Sequence, residues 1–170
     1  MTTLRRCLDF LDRNRIPYAH TTHANSYRAR EVASAEHMLP YKVAKTVILC
    51  GDGCYGMAVL PADCRVDLEE MAMSLGLTHV RLASEAEIAR LFPDSEVGAM
   101  PPFGDLFNLP VYMDERLANE KFIVFNAGTH RDAIHMRLAD YLLLTNPLVR
   151  RFAHPEAPHY ENIGVHYAGA

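Results

Sequence analysis

The run Val43-Ala44-Lys45-Thr46-Val47-Ile48-Leu49-Cys50 places a single charge inside an otherwise apolar or small stretch. A strand of this composition is covered on both faces, so an ammonium within it needs a reason. Two readings stay open. In one, Lys45 sits near the strand's start, runs its methylenes over the core and keeps its amine in water, which periodicity alone favours. In the other, the amine projects into a cleft, where it would hold a phosphate or a carbonyl oxygen gaining negative charge, the electrostatic help that acyl chemistry needs.

A second unusual segment is Val97-Gly98-Ala99-Met100-Pro101-Pro102-Phe103-Gly104, which joins two φ-locked prolines to two permissive glycines. It reads either as a tight connection or as a rigid loop whose N–H groups face a ligand that glycine lets approach closely. Asn126-Ala127-Gly128-Thr129-His130 is a third glycine turn, placed after a strand in the same way. Two such loops and one lysine would suffice for a pocket. His20 and His23 flank a polar stretch, His154, His159 and His166 lie near the end of the chain, and no His has an Asp or Cys partner at motif spacing. Walker, dinucleotide-binding, His-Glu-x-x-His and nucleophile-elbow motifs are all absent, so no cofactor is expected. Cys50 and Cys54 straddle a Gly51-Asp52-Gly53 turn without a second ligand pair, which predicts reduced thiols and no metal.

The elements that must hold these residues are legible from period and caps. Leu4, Cys7, Leu8 and Leu11 at i, i+3, i+4, i+7 predict a helix over 3–14, ended before Pro17. A short extended piece covers 16–20 and a second helix 29–38. The runs 42–50 and 54–60 about an Asp-Gly turn predict a hairpin. Asp67 with Glu70 and Ser84 with Glu87 have capping-box spacing and open helices over 68–75 and 85–92, with a strand at 78–82 between them. Strands follow at 111–113, 122–126 and 133–138, then a helical segment at 139–144. The mixture, with hairpins and no βαβ alternation, implies an α+β domain around one curved, barrel-like sheet, mixed but mostly antiparallel and flanked by helices. Residues 1–146 make up the domain, and 147–170, polar and aperiodic, a tail that packs on it or extends from it.

The chain of 170 residues is 49% hydrophobic and 22% charged, the balance of a globular domain able to bury a core. A net charge of −4 supplies no global attraction for a polyanion, so any nucleic-acid contact must be local. Apolar runs fall far short of the roughly 18 residues of a membrane span, and the N-terminus lacks a signal-like h-region. A cytoplasmic location without membrane partners follows by default.

Taken in order, Glu31-Val32-Ala33, Val43-Ala44-Lys45-Thr46-Val47, Gly98-x-x-x-Pro102-Phe103-Gly104 and Asn126-Ala127-Gly128-Thr129-His130 closely resemble the YbaK-type, prolyl-tRNA synthetase-associated family of aminoacyl-tRNA deacylases. The match spans about residues 16–146. The resemblance implies a trans-editing hydrolase, which cleaves the ester between a small, wrongly attached amino acid and the 3′-terminal adenosine of a tRNA. Lys45 takes the place of the family's key lysine as the catalytic group. Substrate-binding residues are then His20, Gly98, Ala99, Met100, Pro102, Gly104, Gly128 and His130. The tRNA acceptor end is the expected partner, with an aminoacyl-tRNA synthetase as a second and a monomer or weak dimer as the assembly. Arg5, Arg6, Arg13, Arg15, Arg28 and Arg30 are candidates for salt-sensitive phosphate contact. A binding module of the same fold, without hydrolysis, is the alternative. Arg28 stands where many members carry threonine, and the tail has no counterpart in the family.

Overall fold

Thr2 starts the fold by accepting a hydrogen bond from Arg5 N at 3.2 Å, which caps α1 (Thr3–Arg13). The computed structural model describes residues 1–24 and 29–157, leaving aside the side chains of residues 29–31. Cys7 and Leu11 carry the buried stripe of α1 into the main core. Arg15 turns left-handed at φ 56° and Ile16 N still bonds Leu11 O, so the extended segment begins later than its composition suggests, as β1 (Tyr18–Thr22). α2 (Ala29–Ala35) is likewise shorter than expected, because His37 at φ 54° and the Met38 N to Ala33 O bond close it early.

β2 (Ala44–Gly51) and β3 (Cys54–Pro61) form the predicted hairpin, paired along their whole length. Asp52 and Gly53, at φ 48° and 85°, take the two left-handed positions that match the twist of such a pair. β4 (Cys64–Val66) follows, then α3 (Leu68–Leu75), capped by Asp67 and closed by Gly76 at φ 65°. β5 (Val80–Leu82) leads to α4 (Glu85–Leu91), whose Ser84–Glu87 capping box is complete. β6 (Val111–Asp114), β7 (Phe122–Asn126), β8 (Asp132–Arg137) and α5 (Leu138–Thr145) complete the predicted set.

Composition after Pro147 predicts no regular structure, yet β9 (Leu148–Arg150) and β10 (Ala153–Pro155) lie there. Tertiary pairing supplies what periodicity lacks. β9 adds in parallel to β6, and β10 pairs with β4.

The strands divide into three sheets among the described residues, in the orders β1-β8-β7, β10-β4 and β5-β2-β3-β6-β9. The expected α+β domain with mixed, mostly antiparallel pairing and flanking helices is observed, and only the single barrel-like sheet is corrected, to separate open sheets. The physical reason is that, among the described residues, backbone pairing between the two larger sheets is confined to one isolated parallel bridge, Val43 to Val124, which does not continue as a ladder. The main core lies between them, where Phe103 packs edge-on against Phe10 and Phe125, with Tyr141 tilted alongside. Each such ring withdraws apolar area worth roughly 1.5–3 kcal/mol. No helix among the described residues is long and apolar enough to cross a membrane.

Candidate functional site

Lys45 is the second residue of β2, in the half of that strand that β5 leaves uncovered, since β5 pairs only with Leu49–Gly51. The side chain is 22% exposed, and its Nζ lies 3.4 Å from Glu156 Oε1. Lys45 also lines a pocket, and its amine is paired with a carboxylate rather than free in solvent. The pocket has Lys45, Thr46 and Asn126 as its polar lining and Val32, Val43 and Ala44 as its apolar lining. Gly98 and Met100 close it.

The loop that supplies Gly98 and Met100 is held by the turn after β7. Glu96 N donates to Gly128 O at 2.9 Å, and Gly128 N donates to Ala99 O at 2.7 Å. His130, 6% exposed, adds its backbone N–H to Glu96 Oε2 at 2.6 Å and its Nε2 to Val97 O at 2.9 Å. Pro102 is fixed from the core side, where the Tyr141 hydroxyl donates to its carbonyl at 2.9 Å. Burial pushes the Tyr141 phenol well above its ordinary range, so it remains a donor. With the loop pinned this way, the backbone N–H groups of Gly98 and Met100 have no acceptor among the described residues. Free N–H groups and an ammonium that converge on one ligand can stabilise an oxyanion or a phosphate.

Besides His130 and Pro102, three further candidates near the loop do not line the pocket. Gly128, at φ 95°, is buried where a Cβ would come 2.8 Å from Thr3 Cβ, so it seats the turn on the start of α1. Gly104 is buried against Leu109 O, 2.1 Å from where its Cβ would stand. Ala99 is wholly buried. His20 lies elsewhere. Asn126, Ala133 and Thr21 share one face of the β1-β8-β7 sheet, the face on which Glu36 meets Thr21 and His135. His20 pairs with Ile134 and so faces the other way, where its Nε2 meets Asp132 Oδ1 at 2.7 Å.

Thr46, Asn126 and Glu156 were not among the residues singled out from sequence. Thr46 and Asn126 sat inside recognised motifs, whereas no pattern marked Glu156. Glu156 is placed by its backbone N–H, which donates to Asp63 O at 2.8 Å just beyond β10. Arg6 stacks over the Phe107 ring at 5.1 Å and donates to Leu106 O, and Arg5 pairs with Asp9 at 2.9 Å, so both have intramolecular work. Arg28 and the side chain of Arg30 lie outside the described residues, as do His159 and His166. Asp67, Glu70 and His154 have ligand atoms within 4.8 Å of one another, but His154 already bonds Glu70 at 2.7 Å and none of the three lines the pocket.

Fold and pocket define a class of small α+β domains in which a strand lysine and a glycine-proline loop line one pocket. Residues 23–144 match the profile of the family described as the aminoacyl-tRNA editing domain, and the chain belongs to that family. It is 36% identical over 98 residues to the multifunctional Ser/Thr-tRNA deacylase ProXp-y of Escherichia coli (strain K12). That alignment covers 56% of this chain and 58% of the relative's length. Among solved structures, one described as "a putative trans-editing enzyme for prolyl tRNA synthetase" superposes with a TM-score of 0.78 at 22% identity, over 92% of this chain and 99% of the other. A hypothetical protein superposes with a TM-score of 0.80 at 19% identity, over 88% and 99%. At these identities the likeness is one of fold.

Proposed function

We propose that this chain is an aminoacyl-tRNA deacylase that hydrolyses the ester between a small amino acid and the 3′-terminal adenosine of a tRNA. The observation that carries this reading is that Lys45 lines the same pocket as Gly98 and Met100, whose backbone N–H groups have no acceptor among the described residues. An activated ester asks little more of a protein. A positioned water attacks the carbonyl carbon, the oxyanion that forms is met by charge and N–H donors, and the acyl C–O bond breaks as a proton of the attacking water passes to the leaving ribose oxygen. His130, Gly128 and Pro102 are positioning residues, since each acts through the loop. The E. coli relative's name directs the choice to serine and threonine, and the tRNA acceptor end is the macromolecular partner.

Glu156 shares the ammonium in the free protein, so the substrate's anionic group replaces that carboxylate on binding. The test is a deacylation screen over seryl-, threonyl-, alanyl- and cysteinyl-tRNA with Lys45→Ala alongside. Loss of one charged donor of this type lowers the rate by about 10²–10³. The partly exposed Lys45–Glu156 pair contributes at most about 1 kcal/mol, so the melting temperature stays within a few degrees of wild type. Near-normal turnover of Lys45→Ala would remove Lys45 from the reaction. Silence of the wild type on every tRNA would replace the hydrolase with a binding module.

A further inference from the structure

Asn126 ends β7 on the pocket wall, and its Oδ1 is sealed from solvent without a hydrogen-bond partner. A buried amide oxygen left unpaired is destabilising, so natural proteins seldom keep one unless something arrives to satisfy it. The oxygen can only accept. Its missing partner is therefore a donor, and the pocket in which it sits points to a donor carried by the ligand.

This step rests on the editing reading above, in which the acyl group offers two kinds of donor near the ester. One is the α-ammonium, present in every amino acid. The other is the side-chain hydroxyl, present in serine and threonine and absent from alanine. A second cation set on one neutral amide oxygen, in a pocket that Lys45 also lines, would be both poorly solvated and repelled. A hydroxyl is neutral, and one acceptor satisfies it. Beside Asn126, the Val32 and Val43 side chains give the apolar surface that a methylene or methyl group would lie against. We infer that Asn126 Oδ1 accepts the hydrogen bond of the substrate's side-chain hydroxyl, so that Asn126 is the residue that selects hydroxylated acyl groups over aliphatic ones of similar size.

A site built to bond a hydroxyl discriminates strongly against its absence, because the buried acceptor is then left bare. The experiment compares wild type with Asn126→Leu, which keeps the volume and removes the amide. Two readouts run together: calorimetric binding of 3′-seryl-amido- and 3′-alanyl-amido-3′-deoxyadenosine, which cannot be hydrolysed, and deacylation of seryl- and alanyl-tRNA. Wild type is expected to prefer the seryl compound by about 10-fold or more. Asn126→Leu is expected to bring the two within about threefold, through loss on the seryl side, with the melting temperature of the free protein unchanged or raised. If Asn126→Leu fails to fold, Asn126→Ala carries the same expectation.

A preference that survives the substitution overturns the inference. So does an equal loss for both compounds, which would mean that Asn126 reads a group common to them, such as the α-ammonium or a ribose hydroxyl. Seryl preference in binding with no turnover of any tRNA would sink the editing reading and leave the role of Asn126 standing. Equal turnover and binding of both would do the reverse.

Discussion

Replacing Asp114 with alanine should detach the end of the described chain. Asp114 is completely buried, and its carboxylate accepts three backbone hydrogen bonds, from Arg116 at 3.0 Å, Phe152 at 2.9 Å and Ala153 at 2.8 Å. Arg116 is exposed, so its freed N–H regains water. Phe152 and Ala153 are fully buried, and their two N–H groups would be left without an acceptor at about 1–3 kcal/mol each. Adding part of the lost charge-assisted bonding, and subtracting the desolvation that the carboxylate no longer suffers, gives a loss of about 3–5 kcal/mol. For a chain of this length that corresponds to a fall of roughly 6–20 °C in melting temperature. Asp114→Asn keeps one acceptor and should lose about half as much. Urea unfolding followed by circular dichroism gives the magnitude, and hydrogen exchange at the Phe152 and Ala153 amides gives the location. A loss below about 1 kcal/mol for the alanine variant, or equal losses for both variants, would refute the bookkeeping. The stake is functional as well, because these bonds seat β10, and β10 delivers Glu156 to Lys45.

Gly128→Ala combines a left-handed backbone with a Cβ 2.8 Å from Thr3 Cβ and should cost about 2–4 kcal/mol, whereas Gly53→Ala, at φ 85° in open space, should cost about 1–2 kcal/mol; thermal melts that rank them equally would count against the packing argument. For Asp132, burial pulls the carboxyl pKa up, but hydrogen bonds from Thr129 and His20 outweigh it and hold the value below the ordinary range. Its contribution is therefore complete above about pH 4 and fades as pH falls through the lower folded value, so Asp132→Asn should flatten the stability profile in that acid window. Burial raises Cys7 to about 12, burial and Asp63 raise Cys64 to about 11, and Cys50 is enclosed, leaving Cys54 exposed. At pH 8 a thiol reagent should label Cys54 first, as peptide mass spectrometry would show, and rapid labelling of Cys7 would contradict its burial.

Signals carried within three or four residues were readable from the chain itself. The Ser84–Glu87 box, the Asp67 cap and the Asp52-Gly53 hairpin were legible because each partner is a near neighbour in sequence. Lys45 was legible as a charge in an apolar run, and the two glycine loops as segments whose backbone had to do something unusual. What those loops do was not. Gly128 and Gly104 look alike in sequence to Gly98, yet they serve packing against Thr3 and Leu109, while only Gly98 reaches the pocket. His20 was a reasonable candidate until register placed it on the opposite sheet face from Asn126.

Sequence by itself thus determined the type and limits of most elements and the one residue whose chemistry was out of place. Tertiary structure alone decided the pocket's walls, the partner of Lys45 and the bare oxygen of Asn126. The reason is one of range. Caps and turns act between adjacent turns of chain, whereas Lys45 meets a carboxylate 111 residues away, brought there by β10 on β4.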